Sequence, residues 1–223
     1  MIRIFDILFS AIFLLILSPV LFIVVCVLSV TGEKEIFYIQ DRIGKDGKSF
    51  KLFKFATMLK DSPKLGTGTI TLNNDPRVLP VGKILRTTKL NELPQLINIL
   101  KGDMSMVGPR PLTADRFSSY SVRQRLIIGK LQPGLSGIGS IIFRDEERYL
   151  KGLSNVQHVY DNIIAPYKGE LEVWYAENRS LSLYFLLIFL TIVVVLRLPT
   201  SDWLIQRLKL PNKPQPLVDL EGK

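Results

Sequence analysis

The residues best suited to chemistry lie between Lys54 and Arg110. Handling a phosphate takes fixed cations and a group that attacks or positions phosphorus, and this stretch supplies both. Lys54 ends a strand-like segment, Arg86 lies a few residues before Glu92, and Arg110 sits in the rigid turn Gly108-Pro109-Arg110-Pro111, which fixes its backbone direction. Glu92 is the only carboxylate between Arg86 and Lys101. It stands at the mouth of a helix expected from about Leu93, where the helix dipole alone could account for it. Each cation taken singly also reads as a solvated surface charge. Asp103 reads as a turn residue after Gly102, and Asp145, Glu146 and Glu147 as an exposed acidic face.

The formal net charge is +9, which implies anionic partners: nucleic acid, acidic lipid headgroups or phosphorylated substrates. No basic helix, zinc-ligand spacing or aromatic RNA-binding motif is present, which argues against nucleic acid. The single histidine, His158, excludes a His-rich metal cluster and reads as a loop residue. The single cysteine, Cys26, excludes a disulfide within the chain and fits a reducing compartment. There is no internal repeat, dinucleotide-binding glycine fingerprint or Walker A sequence.

The elements that must position these residues are short. Residues 36–39 and 50–55 read as strands joined by a glycine-containing hairpin loop, and 57–75 as a mobile loop with Gly66 and Gly68. Helical spacing begins at Val81, with Pro94 marking a fresh start near Leu93 and Gly102 a stop. Further helices are expected over 114–130 and over 160–178 with Pro166 near its true start. Residues 131–140 read as a glycine-rich turn region.

Apolar residues collect at the two ends of the chain. From Ile7 to Gly32, 26 residues carry no charge. At ~1.5 Å per residue such a helix reaches about 39 Å, enough for a hydrocarbon core of about 30 Å. Ser18-Pro19 falls near its middle, so a kinked spanning helix competes with a re-entrant hairpin. The span is slightly favoured on physical grounds, because a break in lipid needs its freed backbone groups satisfied. Leu181 to Leu196 is a second uncharged run, of 16 residues. It is short for a span and reads better as an interfacial or shallowly inserted helix. The sequence therefore divides into a membrane element (1–32), a catalytic unit (33–180), an apolar helix (181–198) and a polar, proline-containing tail (199–223) expected to end as a flexible extension.

The block Asp75-Pro76-Arg77-Val78, Gly82 to Arg86, Leu90-Asn91-Glu92-Leu93-Pro94-Gln95-Leu96-Ile97-Asn98, Lys101 to Ser105 and Val107 to Pro111 resembles the bacterial sugar transferase family. These are the monotopic phosphoglycosyl transferases that initiate surface glycans. The likeness extends to Lys54-Phe55, to Gln132-Pro133-Gly134-Leu135-Ser136-Gly137 and to Tyr175-Ala176-Glu177-Asn178.

That resemblance implies transfer of a sugar-1-phosphate from a UDP-sugar to undecaprenyl phosphate with release of UMP. It also implies Mg²⁺ as cofactor and a compact, helix-rich α/β unit with a small β-hairpin. This unit would lie on the cytoplasmic face of the bacterial inner membrane, with membrane lipid and a second copy of the chain as further partners. The N-terminal element would be a re-entrant helix broken at Ser18-Pro19, reversing the preference for a span. Glu92 matches the glutamate of the family's Asp-Glu dyad and a metal-holding position. Lys54, Arg86 and Arg110 match substrate phosphate-binding positions.

The departures are Ala56, where the family usually has a basic residue, and Asn91, where the resemblance places the nucleophilic aspartate. A neutral amide offers phosphorus no anionic oxygen. Three readings stay open. Glu92 or another carboxylate takes over, transfer runs directly to the lipid phosphate, or the protein is catalytically silent and serves as a scaffold in a glycan assembly complex.

Overall fold

A computed structural model describes residues 1–65, 75–150, 153, 155–198 and 201–221. Gly66 and Gly68, and with them residues 66–74 of the loop expected over 57–75, lie outside the described residues. The described residues are helix-rich with two small sheets, in keeping with the helix-rich α/β expectation.

Helix α1 (Ile2–Val30) carries Pro19 in its interior, and the helical stretch runs on through Ser18-Pro19. Proline has no N–H for the Leu15 carbonyl four residues back. The Ser18 hydroxyl donates to that carbonyl at 2.8 Å, so the serine satisfies the group its neighbour orphans. An outright interruption of the helix at Ser18-Pro19 is therefore not what the chain forms.

Strands β1 (Phe37–Ile43) and β2 (Ser49–Phe55) form an antiparallel hairpin in which Tyr38 faces Lys54. Its turn places Asp46 and Gly47 at positive φ, the backbone that closes a tight hairpin. Helix α2 (Pro80–Thr87) leads into a 3-10 turn over Leu90–Glu92, then α3 (Gln95–Lys101) closes on Gly102 at φ 96°. A left-handed residue there favours glycine. Strand β3 (Ser105–Val107) pairs in parallel with β4 (Gly134–Ser136), a pairing the sequence reading missed in its turn region.

Between β3 and β4 the single helix expected over 114–130 is two: α4 (Ala114–Ser118) and α5 (Val122–Ile128). Ser121 breaks the run because it forms a reciprocal capping box with Gln124. Helix α6 (Ile138–Ile142) follows β4 directly, and α7 (Val156–Val159) continues through a π-helical turn into α8 (Ala165–Asn178). Helix α9 (Leu181–Val195) buries Leu183, Tyr184, Leu187, Leu190 and Val193 while Phe185, Phe189 and Ile192 stay exposed.

The described residues of the tail are not a free extension. They form α10 (Ser201–Arg207) and α11 (Gln215–Glu221), with Leu217 fully buried in the main core and Leu204, Leu208 and Leu210 packed against it. The polar composition hid the leucines, whose burial stabilises the docked tail.

Both ends of α1 rest on this same body. Near its start, Arg3 donates to the Ile99 and Leu100 carbonyls at the end of α3. Buried Asp6 accepts from Ser105 Oγ, the Met106 N–H and Tyr184 OH at 2.8–2.9 Å. Near its end, Val24 and Leu28 pack with Phe55 and Leu85. Between the two anchors Leu15, Ile16, Phe22 and Ile23 are exposed.

Candidate active site

Lys54, Glu92 and Arg110 come from three separate stretches and meet at one carboxylate oxygen. Lys54 lies near the end of β2, between the core-facing Leu52 and Phe55. Glu92 ends the 3-10 turn that follows Lys89, itself in left-handed backbone at φ 60°. Asn98 of α3 fixes the distance between the two elements. Its Oδ1 accepts the Phe53 N–H at 3.0 Å and its Nδ2 donates to the Lys51 carbonyl at 2.7 Å. An amide can serve a strand edge in both directions at once, so α3 is bolted to β2 beside Lys54. In the sequence Asn98 shows only as part of a motif, because its partners lie far away in the chain.

Arg110 is aimed by its turn. Gly108 donates to the Ser136 carbonyl and Gly134 to the Pro109 carbonyl. A Cβ on Gly108 would meet the Gln132 carbonyl oxygen at 2.4 Å, so only glycine permits this approach of the two strands. The Arg42 guanidinium, from β1, donates to the Pro111 carbonyl at 3.1 Å on the far side of the turn.

Arg110 Nη2 stands 3.3 Å from Glu92 Oε1, and Lys54 Nζ 3.7 Å from the same oxygen. Burial pushes the Glu92 carboxyl up, but Arg110, Lys54 and Lys89 outweigh it and hold the pKa at about 2. For Lys54 the balance runs the other way. Burial lowers its ammonium and Arg110, Arg42 and Arg86 add repulsion, so despite Glu92 it falls to about 7. Burial and then Arg110 likewise bring Arg42 down to about 10, while Glu92 raises Arg110. The site is a carboxylate fixed as an anion amid an excess of cations, which suits a polyanionic phosphate ligand.

These side chains line an open cavity of about 1880 Å³. Arg86 borders it from α2, with Nη1 3.7 Å from Met58 Sδ. Asn91 is buried, and its Oδ1 has no hydrogen-bond partner among the described residues. All five sequence-identified residues, Lys54, Arg86, Asn91, Glu92 and Arg110, therefore border one space. Arg42 and Lys89 border it too, although neither was singled out from sequence.

Other motif residues hold the frame. Arg77 pairs with Asp75 at 2.6 Å and donates to the Ser62 and Leu65 carbonyls. Of the acidic cluster, Glu146 is taken by Lys168 at 2.9 Å, which removes it from the chemistry. The side chain of Glu147 lies outside the described residues. Among the described residues no three of His, Cys, Asp and Glu gather as a metal site.

The chain is 32% identical over 207 residues to the exopolysaccharide production protein ExoY of Rhizobium meliloti, covering 86% of this chain and 84% of the relative. It is 33% identical over 211 residues to an undecaprenyl-phosphate galactose phosphotransferase of Salmonella typhimurium, covering 87% of this chain and 40% of that protein. It is 36% identical over 143 residues to a UDP-glucose:undecaprenyl-phosphate glucose-1-phosphate transferase of Klebsiella pneumoniae, with 62% and 30% covered. The profile of the bacterial sugar transferases matches residues 1–198. A likeness that runs from residue 1 to 198 leads to one conclusion: this chain belongs to the bacterial sugar transferase family.

Proposed function

We propose that the protein transfers a sugar-1-phosphate from a UDP-sugar to undecaprenyl phosphate, releasing UMP, as the first step of a surface polysaccharide or glycoconjugate. The observation that carries this reading is the Glu92 carboxylate, held by Lys54 and Arg110 in a cation-lined cavity. The activities named for the Salmonella and Klebsiella relatives support the reaction class.

The Lys54 and Arg110 ion pairs of Glu92 both fall on Oε1, and in this reading Oε2 is the attacking oxygen. In a two-step transfer a Glu92 oxygen attacks the donor's β-phosphorus and the bridging oxygen departs with UMP. An oxygen of undecaprenyl phosphate then attacks the same phosphorus, and the carboxylate leaves. No net proton transfer is needed, and one difficult step becomes two easier ones. Lys54, Arg86 and Arg110 offset the charge gathered on the phosphoryl oxygens.

Magnesium fits this site only as an ion that arrives with the donor. One carboxylate and the unpaired Asn91 Oδ1 would hold it, and Mg²⁺ commonly takes one or two protein ligands plus substrate phosphates. It would supply further neutralisation of the diphosphate.

The position of α1 favours a re-entrant element over a span. A helix crossing the bilayer has its ends on opposite sides, yet Arg3 and Asp6 at one end and Leu28 at the other pack on one body. The catalytic unit then lies on the cytoplasmic face, where nucleotide sugars are supplied. Single cysteines placed at positions 3 and 33 in a Cys26→Ala background test this. Labelling of both from the cytoplasmic side is expected, and labelling from opposite sides would overturn it.

The chemical test is UMP release from a panel of UDP-sugars with undecaprenyl phosphate. Wild type is expected to be active and Glu92→Gln inactive. A silent wild type that gains activity as Asn91→Asp would support the scaffold reading. A sugar-phosphate adduct mapped to Glu92 by mass spectrometry supports attack by that carboxylate. Turnover with no adduct under quenched conditions supports direct transfer to the lipid phosphate.

A further inference from the structure

The family match ends at residue 198, but the chain does not leave the active site there. Its last segment returns along the same cavity and walls it together with α6 and α8. Three features hold this strap in place. Leu217 is buried at 0% exposure, the Tyr167 hydroxyl donates to the Pro211 carbonyl at 2.9 Å, and Leu204, Leu208 and Leu210 face the core. Pro211, Pro214 and Pro216 limit its backbone, and beside the apolar Ile205, Leu208, Leu210 and Pro211 the strap brings three polar side chains to the cavity, Gln206, Asn212 and Lys213. Gln206 and Asn212 are exposed, and neither is engaged by another described residue.

Two neutral amides offer hydrogen-bond donors and acceptors without charge, which is the chemistry of hydroxyl recognition. They border the cavity whose cations gather around Glu92. Of the side chains the strap brings to the cavity only Lys213 is charged, so the strap's contribution is chiefly neutral, in contrast to the cations around Glu92. The relatives differ in the sugar their names carry, glucose in Klebsiella and galactose in Salmonella, whereas the phosphate-handling residues lie inside the matched region. A part of the chain outside that region is where a donor's variable part would be read.

We propose that the strap 203–213 is a specificity wall that reads the sugar of the donor through Gln206 and Asn212. The proposal rests on the transferase reading above and deepens it. Each amide contributes one or two neutral hydrogen bonds, so removing both should weaken the preferred sugar by about tenfold. Because both side chains are exposed, the fold should tolerate the change.

The experiment compares the full-length wild type with Gln206→Ala/Asn212→Ala. UMP release is measured across UDP-glucose, UDP-galactose and their N-acetylated analogues. Expected are a rise of about tenfold in KM for the preferred donor and a collapse of the preference among sugars. Inhibition by UMP and the KM for undecaprenyl phosphate should stay within about twofold. An unchanged sugar preference overturns the proposal. So does a parallel loss of UMP affinity, which would mean that the strap reads uridine. Calorimetric titration of UDP-sugars and UMP gives an answer independent of turnover. The variant should lose the affinity gained from the sugar, and retention of that gain overturns the proposal. If the wild type binds UDP-sugars yet releases no UMP, the transferase reading fails, and the titration still decides the role of the strap.

Discussion

Two glutamates meet Arg110, a half-buried one and a fully buried one, and they stand in opposite states. Glu92 accepts from the Arg110 guanidinium, whereas Glu172 of α8 faces the Arg110 backbone N–H at 3.5 Å. Burial raises both. At Glu92 the side-chain cations overturn it and the pKa is about 2. At Glu172 burial dominates, the Arg110 N–H and Lys168 offset it only in part, and the pKa stands at about 7. Glu172 Oε2 has no partner among the described residues, and a Cβ on Gly139 would come within 2.5 Å of its Oε1. The lesson is that depth alone does not decide ionisation. What matters is whether a full cation or only a backbone dipole meets the carboxylate. Glu92 is built to stay charged and face a ligand, and Glu172 to fill a tight seat beneath the loop that aims Arg110.

The sharpest way to break this contrast is to neutralise each glutamate. Glu92→Gln should lower kcat/KM by about a thousandfold or more, since it removes the carboxylate on which the transfer depends. Circular dichroism should remain that of wild type. Loss confined to KM with kcat intact would show Glu92 to be a binding group only.

A second, smaller effect comes from Lys54. Its lowered pKa of about 7 means that the ammonium is charged below pH 7 and discharges above it. Donor affinity should therefore fall as pH rises from 6 to 8.5, with KM rising by roughly tenfold. Lys54→Arg stays charged throughout and should flatten the profile. A wild-type profile flat over this range would show that bound phosphate or Glu92 keeps Lys54 protonated.

The legibility of these features in the sequence follows from how local they are. Glu92 and Arg110 stood out because a lone carboxylate before a proline-started helix and an arginine between prolines are local patterns. The Asn98 clamp and the Arg42 contact could not be read, since each is defined by a strand or turn brought in from elsewhere. Glu172 gave no signal, as its seat is made by glycines on other elements. At Ser18-Pro19 the sequence announced a proline break, but the serine hydroxyl supplies the missing donor. In the tail, polar residues and prolines suggested an extension, while a few leucines were enough to dock it.

The smallest effect should come from Glu172→Gln, and it should appear in stability rather than in turnover. Glutamine keeps the shape and can still accept the Arg110 N–H, so kcat/KM should change by less than about tenfold. The folded pKa of about 7 lies above the ordinary 4.5, so the native state holds a proton that the unfolded chain releases between those values. The stabilisation is complete below pH 4.5 and is lost as pH rises through 7, by about 3 kcal/mol in all. Denaturant midpoints between pH 4.5 and 7 should thus fall more steeply in wild type than in Glu172→Gln. The Lys54 contribution does not confuse this reading. Its folded pKa lies below the ordinary 10.5, so its effect is confined to the window from 7 to 10.5, where stability rises with pH. Equal slopes in the two proteins below pH 7 would mean that Glu172 is ionised in the fold, and would remove the distinction between the two glutamates.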